Sequence, residues 1–228
     1  LKLEREIKTA FKISIPVMMG YSVLGFAFGL LLVSFEYPWY LAPLMSLFIY
    51  AGALQFVAIN FFNAKAGFVD IAIASWFVNL RQSFYGLSLL KRFKKTGKLK
   101  PYLIFGLTDE TYALLTTIKD DEQLKKKWYY FFLTAFNQFY WFTGATLGAI
   151  VGSNVEFNTA GLEFSLTALF VVLCIEQYKN LKNPIPFAIG AISSIIALAF
   201  VPSDKMLIVT ISLALVLLFF FRQRLNDE

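Results

Sequence analysis

Polar residues in this chain come in short blocks, and the stretches between them are long and apolar. Six runs approach or exceed the length a helix needs to cross roughly 30 Å of hydrocarbon: Ile13–Phe35, Leu41–Phe62, Trp128–Val151, Leu162–Tyr178, Pro184–Val201 and Met206–Phe221. Two further stretches, Gly67–Leu90 and Tyr102–Ile118, are apolar but interrupted by charge. None of the runs alternates apolar and polar residues at a period of two, which excludes a β-barrel. The pattern predicts an all-α, polytopic transmembrane helix bundle. It has six clear spanning helices plus one or two broken or re-entrant segments, forming a single transmembrane domain over residues 1–228. No small-residue cleavage site follows the first run, so a signal peptide is not expected.

Composition points to the same solvent. Apolar residues make up 58% of the chain, 26 of its 228 residues are Phe, and only 16% are charged. A soluble protein of this size could not hide that much apolar surface in one core, so lipid is the expected surrounding. The net charge of +6 would fit a nucleic-acid binder, but the cations follow the loops. They cluster in the first dozen residues, in Lys91–Lys100, in Lys125–Lys127, at Lys179 and Lys182, and at Arg222 and Arg224. The loops Glu36–Tyr40 and Gly152–Gly161 have none. By the positive-inside rule both termini face the cytoplasm, in a bacterial inner membrane, and no nucleic-acid partner is expected.

Parity creates a conflict. If the first two runs cross out and back, a third crossing by Gly67–Leu90 would place the six cations of Lys91–Lys100 outside. Either Gly67–Leu90 enters and returns, broken near Asn79–Arg81, or it and Tyr102–Ile118 both cross and the basic block is an exception. The broken reading is preferred, and a break at membrane depth would mark a pathway. A repeat is also suggested. Gly25 and Gly29 recur as Gly144 and Gly148 about 120 residues later, giving candidate halves 13–90 and 128–201.

Polar side chains inside apolar runs need partners. Arg81, in Asn79-Leu80-Arg81-Gln82-Ser83-Phe84-Tyr85-Gly86, costs at least ~2.5 kcal/mol at a membrane centre, so it should face protein or water. It serves either a structural ion pair or a substrate carboxylate, or it poises a nearby acid. Asp109 and Glu110 lie about 100° apart on a helix, so one can pair with Arg81 while the other lines a cavity and carries a proton. Alternatively Thr108 or Asp109 starts a helix, with acids favoured in its first turn. Gln55, one turn after Gly52, marks a face where a backbone or ligand can come close. Asn137 and Gln138 join Thr134, Trp141, Gly144 and Gly148 in a narrow face that should look into the bundle. Pro16 and Gly20 predict a kink or a short unwound stretch whose N–H groups would suit an anion.

Other chemistry finds little support. Asp70, Glu163 and Glu176 sit near run ends, where solvation accounts for them. The chain has no His and a single Cys174, so it cannot form an intrachain disulfide, and any proton relay must use carboxylates or Tyr. No P-loop, zinc-ligand spacing or nucleophile elbow is present. Neither an enzyme nor a cofactor is expected.

At Gly20-Tyr21 through Phe28-Gly29, Gly52-Ala53-Leu54-Gln55-Phe56, Asn79–Gly86 and Leu107-Thr108-Asp109-Glu110, the sequence resembles the AzlC family. That family forms the large subunit of branched-chain amino acid exporters. The resemblance covers nearly the whole chain, with one departure: Gln82 stands where the family commonly has a His directly after its Asn-x-Arg step. It implies a small AzlD-type membrane partner. It also implies export of valine, leucine or isoleucine, with methionine a further candidate, driven by the proton gradient. A zwitterion with an apolar side chain needs an anion site, an ammonium acceptor and a greasy pocket. Arg81 or the N–H groups near Pro16–Gly20 would supply the first, Asp109 or Glu110 with Gln55 the second, and Phe residues or Trp141 the third.

Overall fold

The computed structural model describes residues 3–63, 66–117, 125–155, 184–202 and 206–220, with single positions at 164, 171, 174–175 and 178–179. Every regular element among them is helical, as the apolar pattern predicted. In chain order these are α1 (Glu4–Ser34), α2 (Leu41–Phe48), α3 (Gly52–Asn63), α4 (Phe68–Phe93), a 3-10 turn (Lys94–Leu99), α5 (Lys100–Phe105), α6 (Asp109–Thr117), α7 (Lys126–Asn154), α8 (Ile185–Phe200) and α9 (Met206–Phe220). Apart from those single positions, the run Leu162–Tyr178 lies outside the described residues.

The centre of the fold is a parallel pair, α1 and α7. Their starts are joined where Glu6 Oε1 accepts the N–H of Lys125, 3.2 Å away. Further along, Ser14 Oγ meets Tyr140 Oη at 3.0 Å. The two glycine pairs then cross on each other. A Cβ on Gly25 would lie 2.9 Å from Trp141 O, and one on Gly144 2.8 Å from Ser22 O. At Gly29 and Gly148 it would collide with the backbone of Ala145 and Phe26. Only glycine lets the two backbones come this close, which is how small residues drive helix association in lipid. The contacting residues stay about 120 positions apart, the same offset as the suggested repeat.

α2 and α3 were expected to be one helix. Instead the run Leu41–Phe62 breaks at Ile49–Ala51, where Tyr50 takes a left-handed φ of 37°. Hydropathy could not reveal this break, since the broken residues are themselves apolar or aromatic. α2 descends from the far end of α1 until Leu47 O meets Gln138 Nε2 at 3.4 Å. α3 climbs back: Phe56 packs on Phe28 and then Phe62 on Tyr37, with ring centroids 5.6 and 5.7 Å apart. The pair is a hairpin with its tip at the depth of Tyr21 and Trp141.

Gly67–Leu90 shows the opposite departure. The preferred break at Asn79–Arg81 is absent, and α4 is continuous from Phe68 to Phe93. No Pro or Gly precedes Gly86 within that helix. Arg81 also finds its partner by reaching sideways, so the ladder need not open. α4 descends antiparallel to α7, with Tyr85 stacked on Tyr112 (4.4 Å) and Phe93 against Tyr130 (5.9 Å). Tyr102–Ile118 then forms a second hairpin. α5 rises past Phe131 until Gly106 lies against Thr134, and the chain breaks at 106–108. From there α6 descends from Thr111, hydrogen-bonded to Asn137, to Leu115, whose carbonyl accepts Arg92 Nη1 at 2.7 Å. The two hairpins enter from opposite ends and meet tip to tip, with Phe105 beside Tyr50 at 6.3 Å.

This places a polar layer between two apolar clusters. One holds Phe28, Leu32, Met45, Phe56 and Ile59; the other holds Ala10, Leu89, Phe93, Leu103 and Leu133. The unwound stretch expected near Pro16 and Gly20 is not found. α1 is helical throughout, so Pro16 removes one ladder bond without freeing a set of N–H groups. The described residues do not establish six spanning helices. Among the described residues, only α1 is long and apolar enough to cross a membrane by length and composition, while α8 and α9 are apolar but shorter. α8 and α9 pack on each other, and α9 also touches α4.

The glycine crossing makes a stability prediction. Gly148→Ala should lower the thermal midpoint of the detergent-solubilised chain by the equivalent of about 1–3 kcal/mol through overpacking. Gly20→Ala, with open space around it, should leave the midpoint unchanged or raise it.

Candidate functional site

The layer where the hairpin tips meet contains a cleft of about 520 Å³, open mouth included. Five elements build it. The first tip gives Tyr50, Ala51 and Gly52, and the second gives Thr108, Asp109 and Glu110; α1 contributes Tyr21, α7 Trp141, and α4 Asn79, Arg81 and Gln82.

Asp109 is the first residue of α6, and Thr108 caps that helix by accepting the N–H of Thr111 at 3.3 Å. Both acids therefore stand in a first turn, where the helix dipole favours negative charge. From there they diverge. Asp109 Oδ2 pairs with Arg81 Nη2 at 2.9 Å, with both side chains about a quarter exposed. Among the described residues, its other oxygen, Oδ1, is buried without a hydrogen-bond partner. Glu110 turns the other way, and its Oε2 lies 2.5 Å from Tyr21 Oη.

A line of hydroxyls runs on from Glu110. Tyr21 Oη is 2.7 Å from Thr108 Oγ1, which is 3.0 Å from Thr111 Oγ1, which accepts Asn137 Nδ2 at 2.9 Å. Each hydroxyl has one hydrogen to give. If Tyr21 gives its hydrogen to an ionised Glu110, Thr108 must donate to Tyr21 and Thr111 to Thr108. If Glu110 is protonated, the line can run the other way. Asn137 Nδ2 closes its far end, and Asn137 Oδ1 is buried without a partner among the described residues.

The opposite wall is aromatic. The ring of Trp141 lies on Gly52, where a Cβ would come within 2.9 Å of it, and meets Tyr21 edge-on at 5.4 Å. Its Nε1–H donates to Gln55 Oε1 at 2.7 Å. Gln55 Nε2 and Tyr50 Oη are buried and have no partner among the described residues. Together with Asp109 Oδ1 they leave spare donors and acceptors at the layer, next to one cation and two acids.

Of the residues singled out in the sequence, Gly52, Asn79, Arg81, Gln82, Asp109, Glu110 and Trp141 all line this cleft. Gln55 and Asn137 stand just behind it, holding Trp141 and Thr111. Gly20 does not belong to it and is exposed on α1. Sequence reasoning missed Tyr21 and Tyr50. Tyr21 lies one and two turns before Gly25 and Gly29, so the face of that glycine pair could have pointed to it. Nothing local marks Tyr50, because the tip it forms is invisible in the hydropathy.

A family model described as AzlC protein matches residues 16–155, a span that contains every residue of the cleft. The chain belongs to the AzlC family. The branched-chain amino acid transport protein AzlC of Bacillus subtilis is 38% identical over 176 residues, covering 77% of this chain and 69% of that protein. An uncharacterized membrane protein of Helicobacter pylori is 41% identical over 222 residues, 97% of each chain. The inner membrane protein YgaZ of Escherichia coli is 30% identical over 183 residues, 75% of this chain and 73% of that one. No solved structure matches. This AzlC-family chain is therefore a membrane protein, and the buried hydroxyls of its polar layer depend on one another and on Glu110 for their hydrogen bonds.

Tyr21→Phe tests that requirement. Removing the phenol hydroxyl leaves Glu110 without its donor, and the thermal midpoint should fall by the equivalent of about 1–3 kcal/mol. An unchanged midpoint would mean that Glu110 does not depend on this contact.

Proposed function

We propose that this chain is the large subunit of a secondary transporter that exports branched-chain amino acids through the cleft between the two hairpin tips. The observation that carries the reading is the convergence, at one depth, of Arg81, Asp109 and Glu110 with an aromatic wall and buried unpartnered polar atoms. Broken helices meeting at mid-depth are a recurrent way to build a transport site, since irregular backbone is tolerated there only around a cavity. Arg81 holds the substrate carboxylate, the spare oxygen of Asp109 takes the ammonium, and the aliphatic side chain lies against Trp141. Valine, leucine and isoleucine fit this chemistry, with methionine a further candidate. The reading is a permease and not an enzyme, in keeping with the transport relative in its family.

As membrane segments, α1, α4 and α7 cross, while α2–α3 and α5–α6 enter from opposite faces and return. This arrangement gathers the N-terminal cations, Lys91–Lys100 and Lys125–Lys127 at one face, removing the parity conflict. By the positive-inside rule that face is cytoplasmic, in the inner membrane, with both termini on that side. Proton coupling falls to Glu110, whose proton can pass along Tyr21, Thr108 and Thr111. A small AzlD-type membrane subunit completes the transporter, a reading supported by the family alone.

The test is efflux of labelled leucine or valine from preloaded cells, with and without the small subunit. Efflux should need both chains and collapse with a protonophore. Arg81→Ala and Asp109→Asn should each cut it about tenfold or more, as expected when a partly buried charge partner is lost. The ion pair also fits a purely structural scaffold, and the exchange Arg81→Asp with Asp109→Arg separates the two. A scaffold regains function on exchange, whereas a carboxylate site does not. Gln82, in place of the usual His, favours a second reading in which another small organic solute is carried. Efflux of such a solute with no efflux of branched-chain amino acids would establish it.

A further inference from the structure

On the aromatic side of the cleft the first hairpin tip presents only small residues, Ala51, Gly52 and Ala53, and the Trp141 ring lies on the middle one. The backbone does not require glycine there. Gly52 is the first residue of α3, and among the described glycines only Gly97 takes a left-handed φ. What excludes a side chain is the ring. An added Cβ would lie 2.9 Å from Cη2, 3.2 Å from Cζ2 and 3.4 Å from Cζ3 of Trp141, the outer edge of the indole. The glycines of the α1–α7 crossing differ, since an added carbon there meets backbone atoms. We propose, on the transport reading above, that Gly52 and Trp141 together determine the size of side chain the cleft accepts, and so its choice among aliphatic amino acids.

The ring has little freedom to turn aside. Its Nε1–H is tied to Gln55 Oε1 at 2.7 Å, and an indole nitrogen only donates, so this contact fixes which end of the amide faces it. Gln55 is itself fully buried. Phe28 stacks on the indole at 6.3 Å, with Phe56 packed against Phe28 in turn, and Tyr21 meets the indole edge-on at 5.4 Å. Held on these sides, the ring can yield only into the cleft, where a solute's side chain needs the same space. Arg81 and Asp109 hold the carboxylate and ammonium that every amino acid shares, so discrimination falls to this wall. One methylene is felt in a close-packed wall, and in an apolar pocket it separates substrates by roughly tenfold or more.

The experiment follows efflux of labelled valine and leucine, loaded together into cells carrying the full chain and its small partner subunit. The amount of each variant in the membrane is measured alongside. Gly52→Ala should lower the leucine-to-valine ratio of initial rates roughly tenfold, since the two solutes differ by one methylene. Adding Trp141→Phe, which removes the outer edge of the indole, should bring the ratio back toward that of the unaltered chain. Gly148→Ala, which overpacks the α1–α7 crossing outside the cleft, should leave the ratio unchanged whatever it does to the rates. If Gly52→Ala slows both amino acids equally, or if its ratio shift persists once Trp141→Phe is added, the proposal is overturned while the transport reading stands. No efflux of either amino acid from the unaltered chain would instead bring down the transport reading, and the size selection with it.

Discussion

The close parallel contact between α1 and α7 is the constraint on which the rest of this structure depends. Glycines at 25, 29, 144 and 148 bring two backbones together, and the contact fixes the register of one helix on the other. That register sets Tyr21 and Trp141 at one depth, edge to face. The hairpins have no comparable backbone contact of their own. Each ends where its tip can reach the Tyr21–Trp141 pair: Gly52 beneath the indole, Thr108 and Glu110 around the phenol.

A polar layer in the middle of an apolar bundle is costly, and its geometry follows from reducing that cost. Ending α2 and α5 at mid-depth exposes backbone groups and creates the start of α6, where carboxylates are favoured. Placing Asp109 and Glu110 there, about 100° apart, sends one toward Arg81 and the other toward Tyr21. The guanidinium is thereby paired without breaking α4, and the second acid gains a donor. Among the described residues, four of the seven buried polar atoms without a partner, at Tyr50, Gln55, Asp109 and Asn137, lie in this same layer; the others are at Tyr129, Thr134 and Ser193. Atoms of this kind are what a polar solute would satisfy.

Much of the site was legible along the chain because its members are exceptions. An Arg, two adjacent acids and a Gln in apolar surroundings stand out wherever they fall; the glycine spacing suggested a repeat, and only the structure showed that the two helices pack on each other through it. Tyr21 and Tyr50 were not legible, since a tyrosine in an aromatic-rich membrane protein draws no notice until its hydroxyl is seen to be buried. The topology was misread for a related reason. The charge in Gly67–Leu90 suggested a break there, while Leu41–Phe62, which does break, carries no charge at all.

The sequence by itself determined that the chain is helical, that lipid is its main solvent, and which side chains could not be left facing that solvent. It did so because transfer free energy is a property of each residue and adds along a segment. Only the tertiary structure decided which segments are continuous and which turn back, and therefore which polar groups meet. Those outcomes depend on where a partner waits across the bundle: an apolar run can break if its tip finds a cap and a packing surface. A charged run stays whole if its cation finds an acid within reach.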